Sequence, residues 1–203
     1  MKACIAICIV FFGLSSCKKG DEQKNSSRYY FIAGVKDSTY FKYAPIKIVK
    51  GPKIGTDSDY VYNDSVAVDI NFDQITDFQF YYYKIFQSIN CEPPLDCLPN
   101  ADRKMTGSCT NNYEIAYDYE TSNIRLTYAK LFNYGDTISL YKRWQTGKIC
   151  LRHDNFSDGY GAWNNIKIGY LGYRKIKDND TTFGWMEIST YNDTLKLCGY
   201  QFK

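Results

Sequence analysis

Histidine occurs once in 203 residues, proline five times, and the basic and acidic side chains nearly cancel, 25 against 22. That near balance removes the electrostatic case for a nucleic-acid partner, which requires a clustered positive face. The single histidine, His153, sits in the polar run Arg152-His153-Asp154-Asn155 without a nucleophile elbow, and it reads as an exposed loop residue rather than a catalytic base. The GxSxG, HExxH, phosphate-loop and dinucleotide fingerprints are all missing. No apolar run is long enough to remain in a bilayer: Ala3 to Leu14 would span about 18 Å as a helix, against a hydrocarbon layer of about 30 Å. Helical stripes with caps are missing as well. Disorder is excluded by what takes their place, 44% hydrophobic and 17% aromatic residues with twenty tyrosines.

The chain opens with Lys2, the apolar run, the small residues Ser15 and Ser16, and Cys17, the order of an export signal. Leu14-Ser15-Ser16-Cys17 resembles the lipobox of bacterial lipoproteins. The resemblance implies that Cys17 is diacylated on sulfur, becomes the first mature residue and gains an amide-linked chain. Several acyl chains hold a protein in a bilayer durably, where one gives marginal binding. The organisation expected is a signal peptide over 1–16, a lipidated cysteine and polar linker over 17–28, and one domain over 29–203. The linker Lys18 to Arg28 has nothing apolar to bury and reaches about 36–40 Å when extended. Asp21 and Glu22 resemble the acidic surface-export signals of Bacteroidetes lipoproteins. The location expected is the outer membrane, with its periplasmic and surface faces both open.

Beyond residue 29 apolar side chains recur at every second position. Tyr113, Ile115, Tyr117 and Tyr119 alternate with Glu114, Ala116 and Asp118, and Ile124, Leu126 and Tyr128 alternate with Arg125, Thr127 and Ala129. Comparable patterns cover Phe78 to Lys84, Ile138 to Tyr141, Ile166 to Tyr173, Phe183 to Ser189 and Leu195 to Phe202, with weaker ones at Tyr29 to Val35, Tyr40 to Val49 and Ser65 to Val68. About nine or ten short strands without crossover helices predict an all-β, antiparallel β-sandwich of jelly-roll or laminin/concanavalin type, with a closed barrel as the alternative. The stretch Ile89 to Asn112, which holds Pro93, Pro94, Pro99 and three cysteines, reads as an exposed excursion pinned by a crosslink.

After loss of Cys4 and Cys8 with the signal and commitment of Cys17 to lipid, Cys91, Cys97, Cys109, Cys150 and Cys198 remain. An oxidising envelope favours bridging. One bridge is expected within the Cys91, Cys97, Cys109 cluster and a second between Cys150 and Cys198. The latter would close a loop of about fifty residues, for about 4 kcal/mol on the chain-entropy model. Zinc is the weaker reading, because the spacings lack paired CxxC knuckles.

One segment carries recognisable site chemistry. In Asp69-Ile70-Asn71-Phe72-Asp73-Gln74-Ile75-Thr76-Asp77, oxygen side chains occupy positions one, three, five and nine, and the carbonyl of Ile75 adds a donor at position seven. Three carboxylates, an amide and a carbonyl suit a hard divalent ion, and a structural calcium is expected. An EF-hand is excluded, since position twelve is Phe80 and a strand follows in place of a helix; a propeller is excluded because the motif occurs once. The competing reading is a metal-free turn in which these side chains bond their own backbone. Gln74 favours it, because position six needs a left-handed backbone that costs a non-glycine residue about 1 kcal/mol or more.

This motif, with Gly169-Tyr170-Leu171-Gly172-Tyr173-Arg174, Thr182-Phe183-Gly184-Trp185-Met186-Glu187-Ile188 and a closing strand containing Gly199-Tyr200, is similar to a set of secreted and lipid-anchored β-sandwich proteins of Bacteroidetes. In that family an aspartate-rich loop precedes a Y-L-G-x-R strand, a Y-G-W-I-R-L strand and a final aromatic strand. The likeness covers roughly residues 60 to 203, and the chain departs from it at Gln74, Phe183 and Glu187. It implies architecture and envelope location without a catalytic activity. The function expected is a non-catalytic binding or scaffolding module, partnered by the membrane through Cys17 and by a glycan or envelope protein. The alternative is a carbohydrate-binding or carbohydrate-active protein with Trp144 and Trp163 as stacking platforms, or Glu114, Asp118 and Glu187 as candidate paired acids.

Overall fold

The computed structural model describes residues 30–48, 53–56, 59–87, 100–110, 112–121, 126–155, 158–178 and 180–202. Its strands are β1 (Tyr30–Ile32), β2 (Lys42–Ile48), β3 (Ile54–Gly55), β4 (Asp59–Val68), β5 (Phe78–Gln87), β6 (Asn100–Cys109), β7 (Tyr113–Thr121), β8 (Leu126–Ala129), β9 (Leu131–Phe132), β10 (Thr137–Ser139), β11 (Arg143–Gln145), β12 (Gly147–Asn155), β13 (Asp158–Tyr160), β14 (Gly169–Lys177), β15 (Asp180–Ser189) and β16 (Leu195–Phe202). A single 3-10 turn, Tyr191–Asp193, joins the last two, and no α-helix occurs among the described residues.

The chain is all-β, as its alternation requires. One sheet runs in the order β2-β16-β15-β14-β7-β8-β12-β6-β5-β4-β3, with β9, β11 and β13 added to β14, β7 and β12. The described pairings are antiparallel apart from the single bridge between Tyr128 of β8 and Cys150 of β12. The sheet curls until β2 comes near β4, so the sandwich-like body is a half-barrel made of one sheet rather than two separate layers. The bend is helped by β11 and β12, which are nearly continuous: Arg143–Gln145 pairs with β7, Gly147 turns at φ +76°, and the chain then runs along β6.

Alternation places Phe78, Phe80 and Tyr82 of β5 inside the curl with Ile115, Met105, Leu151, Leu171, Tyr173 and Met186. A second cluster lies on the other face of the β7–β14–β15 wall, where Ala116, Tyr170, Phe183 and Trp185 are covered by Ala33 and Phe31 of the N-terminal segment and Ile138 of β10. β1 and β10 form a two-stranded ribbon over that face. The glycines of the recurring motifs make room for these rings. A Cβ on Gly172 would meet Phe132 at 2.8 Å, and one on Gly199 would meet Phe41 at 2.5 Å.

Three expectations are corrected. The excursion expected over Ile89 to Asn112 ends early: Asn100–Cys109 is β6, a central strand between β5 and β12. It lacked a strong signal because it gives the core only Met105, Cys109 and Gly107 among its described side chains, Gly107 lying under the Phe80 ring. His153 is not on a loop; it belongs to β12 and pairs with Lys104 of β6. Cys150 and Cys198 are both free thiols, as is Cys109. β8, β7, β14 and β15 separate their strands in the sheet, and the two side chains have different surroundings, Lys104 and Lys148 about Cys150, Glu187 and Lys196 about Cys198. A bridge needs Cα atoms roughly 4.4–6.8 Å apart, and these two thiols stand unbridged. Cys91 and Cys97, like the signal peptide, Cys17 and the linker, lie outside the described residues.

Candidate functional site

The Asp69–Asp77 segment is the connection between β4 and β5, whose last pair is Val68 with Phe78. Its base is tied to the body. Asp77 is buried, its Oδ2 accepts the Ile70 amide at 3.0 Å, its own amide donates to the Val68 carbonyl at 3.0 Å, and its carbonyl accepts the Thr110 amide at 2.9 Å. Ile70 is fully buried and plugs the loop into the core, whereas Phe72 and Ile75 are exposed.

Above that base the side chains bond their own backbone in a ladder. Asp69 Oδ1 accepts the amides of Asn71 at 3.2 Å and Phe72 at 2.6 Å, and its Oδ2 accepts that of Gln74 at 2.7 Å. Asn71 Oδ1 accepts the Asp73 amide at 3.0 Å, and Asp73 Oδ1 accepts the Ile75 amide at 2.9 Å. Asn71 Nδ2 donates to Asp73 Oδ2 at 2.9 Å. Phe72 and Gln74 take φ values of +62° and +68°, so the left-handed backbone expected at Gln74 is present and is shared by Phe72. Successive Asx turns hold these strained residues in place.

The five donors expected for calcium, Asp69, Asn71, Asp73, Ile75 and Asp77, thus occupy one short loop. By chemistry they fit a hard ion, oxygen donors with three negative charges. Among the described residues, however, no group of three or more His, Cys, Asp or Glu side chains stands close enough to hold a metal. In this conformation the Asp69, Asp73 and Asp77 carboxylates are occupied by amides, Asp69 Oδ1 by two of them. Holding an ion requires the three acids to close on it.

The charges are felt below the loop. Burial raises the Asp77 carboxyl above its usual range, Asp73 and Asp69 raise it further, and the Ile70 amide and Lys175 act in the opposite sense. Tyr113 is buried, its hydroxyl has no hydrogen-bond partner among the described residues, and burial first, then Asp77, Asp73 and Asp69, pushes its ionisation upward. Tyr200 is raised by burial and by Asp69 and Asp77. Lys175 lies 4.8 Å over the Tyr113 ring. Tyr113 and Lys175 are far from the motif in sequence, and only the β7–β14 pairing of Tyr113 with Lys175 brings them together.

The other candidates are placed elsewhere. Trp163 is wholly buried and donates through Nε1 to the Ala129 carbonyl at 3.2 Å, so it is a core residue with no ring face for a sugar. Trp144 is half-buried between Arg174, 4.9 Å from its ring, and Phe183. Glu114 pairs with Arg174, Asp118 with Lys130, and Glu187 with Lys36, each acid having its own cation. His153 Nε2 lies 3.0 Å from Asp102 Oδ1.

No family model matches the chain, and neither curated proteins nor solved structures give a match.

Proposed function

We propose that the chain is an envelope lipoprotein, held by acyl chains at Cys17, whose non-catalytic β-domain acts in binding or scaffolding and is stiffened by a calcium ion in the β4–β5 connection. The observation that carries the ion is the preset backbone of that loop: Phe72 and Gln74 are already left-handed, and Asp69, Asn71 and Asp73 are turned toward one another by the amide ladder. Asp69, Asn71, Asp73, Asp77 and the Ile75 carbonyl are the donors. Calcium would supply charge neutralisation there and no bond-making chemistry.

Calorimetry and thermal melting with calcium and with chelator test this. Affinity in the range of extracellular modules, about 10⁻⁴–10⁻³ M, makes 10 mM calcium worth about 1.4–2.7 kcal/mol of stability. The gain is expected to vanish in the Asp69→Asn, Asp73→Asn double variant. Absence of heat together with an unchanged melt removes calcium from the account.

A further inference from the structure

We propose that the outward face of β4, β5, β6 and β12 carries a binding site for an acidic sugar, a pyranose bearing a carboxylate or a sulfate. The site is a concavity of about 330 Å³ lined by Asn63, Tyr81, Tyr83, Lys104, Thr106 and Lys148. Strand register builds it. Asn63, Tyr83, Lys104 and His153 stand opposite one another in one row, Ser65, Tyr81, Thr106 and Cys150 in the next, and Gln79, Ser108 and Lys148 in the third. Side chains alternate across a sheet, so these rows face away from the core that takes Phe80, Tyr82 and Met105. Thr106, 4% exposed, is the floor, and the half-buried Tyr81 and Tyr83 stand beside it. The volume is at the small end of ligand sites, which run from about 300 to 1,000 Å³.

The lining has two lysines and no acid. Among the described residues no ion pair joins a carboxylate to Lys104 or Lys148, and Asp102, two residues before Lys104 on the same face, is engaged by His153 at 3.0 Å. By register Lys104 and Lys148 lie in the rows on either side of Thr106 and Cys150, and both line the concavity. Two cations without partners over one basin call for an anion. The remaining lining selects its carrier. Two tyrosine rings without a ring partner among the described residues offer faces to a sugar's C–H surface, and the Asn63 amide and Thr106 hydroxyl offer hydrogen bonds to its hydroxyls. A peptide would dock at a sheet edge, where backbone groups are open, whereas β5 and β6 here are paired on both sides. A nucleic acid would need a broader basic field than two lysines. The proposal names a ligand for the binding module proposed above and rests on that reading, but not on the calcium loop.

The test is calorimetry with the full chain purified in detergent, titrated with oligogalacturonate, a sulfated oligosaccharide, a neutral oligosaccharide, polyglutamate and an oligonucleotide. Saturable binding of the uronate or the sulfated sugar is expected, weakening as salt rises. Each of Lys104→Gln and Lys148→Gln should reduce affinity about tenfold, and Tyr83→Ala at least as much, with unchanged circular dichroism. Which of the two sugars binds identifies the anion. Binding unaffected by the lysine changes, or equal binding of polyglutamate or the oligonucleotide, overturns the site. Neutral-sugar binding alone overturns it while leaving a binding module standing; silence across the whole panel overturns the site and leaves the scaffolding role.

Discussion

At the level of single residues, the glycines in the recurring motifs show how little slack the walls have. A Cβ on Gly184 would lie 2.5 Å from the Gln201 carbonyl oxygen and closer still to the Tyr173 ring, which is itself fully buried. Neither a strand backbone nor a core tyrosine can withdraw without disturbing β15 and β16. Gly184→Ala is therefore expected to cost about 1–3 kcal/mol in urea unfolding, the range for overpacking. Asp77 is the other decisive residue. Because burial raises its carboxyl above the ordinary 3.8, the folded chain holds the proton more tightly than the unfolded one. Its contribution is full below the ordinary value and is lost as pH rises through the folded value. In chelated buffer the wild type should lose stability over that window. Asp77→Asn, which keeps an acceptor for the Ile70 amide but does not titrate, should flatten that segment of the profile; parallel profiles would contradict the assignment.

At the level of elements, strand placement overrides the cysteine expectation. β12 and β16 sit on different walls of the curl, so oxidation has no Cys150–Cys198 pair to close. Burial pushes the Cys109 thiol up to about 11 and Cys150 up to about 12. Thiolate is the reactive species, and almost none forms at pH 8. Native alkylation followed by peptide mapping should modify Cys198, which is partly exposed, before Cys109 or Cys150, and the latter two only after denaturant. Recovery of a Cys150–Cys198 crosslinked peptide would overturn this placement. The same elements show where the pattern was weak. β5, with aromatic residues at alternate positions, stood out in the sequence; β6 did not, because it gives the core Met105, Cys109 and a glycine that accepts a neighbour's ring.

At the level of the whole molecule, the two candidate sites lie on different parts of one sheet. The β4–β5 connection closes one end, and the lysine-lined concavity opens on the outer face of the same strands. If Cys17 is the tether proposed above, Cys17→Ser should move the protein from the membrane to the soluble fraction, because the acyl chains are the hold that the substitution removes. An unmodified thiol at the processed terminus of the wild type would contradict the tether.

By itself the sequence determined strand character, the position of the aspartate-rich turn and the left-handed backbone at Gln74, since each depends on side chains within a few residues of one another. Tertiary structure alone decided that Trp163 is core, that Cys150 and Cys198 stay apart, that Tyr113 and Lys175 sit below the loop, and that Tyr83 and Lys104 share a face. Those facts depend on which strands pair and in what register. Pairing is fixed by the collective burial of side chains far apart in the chain, and a one-residue slip would send every one of them to the opposite face.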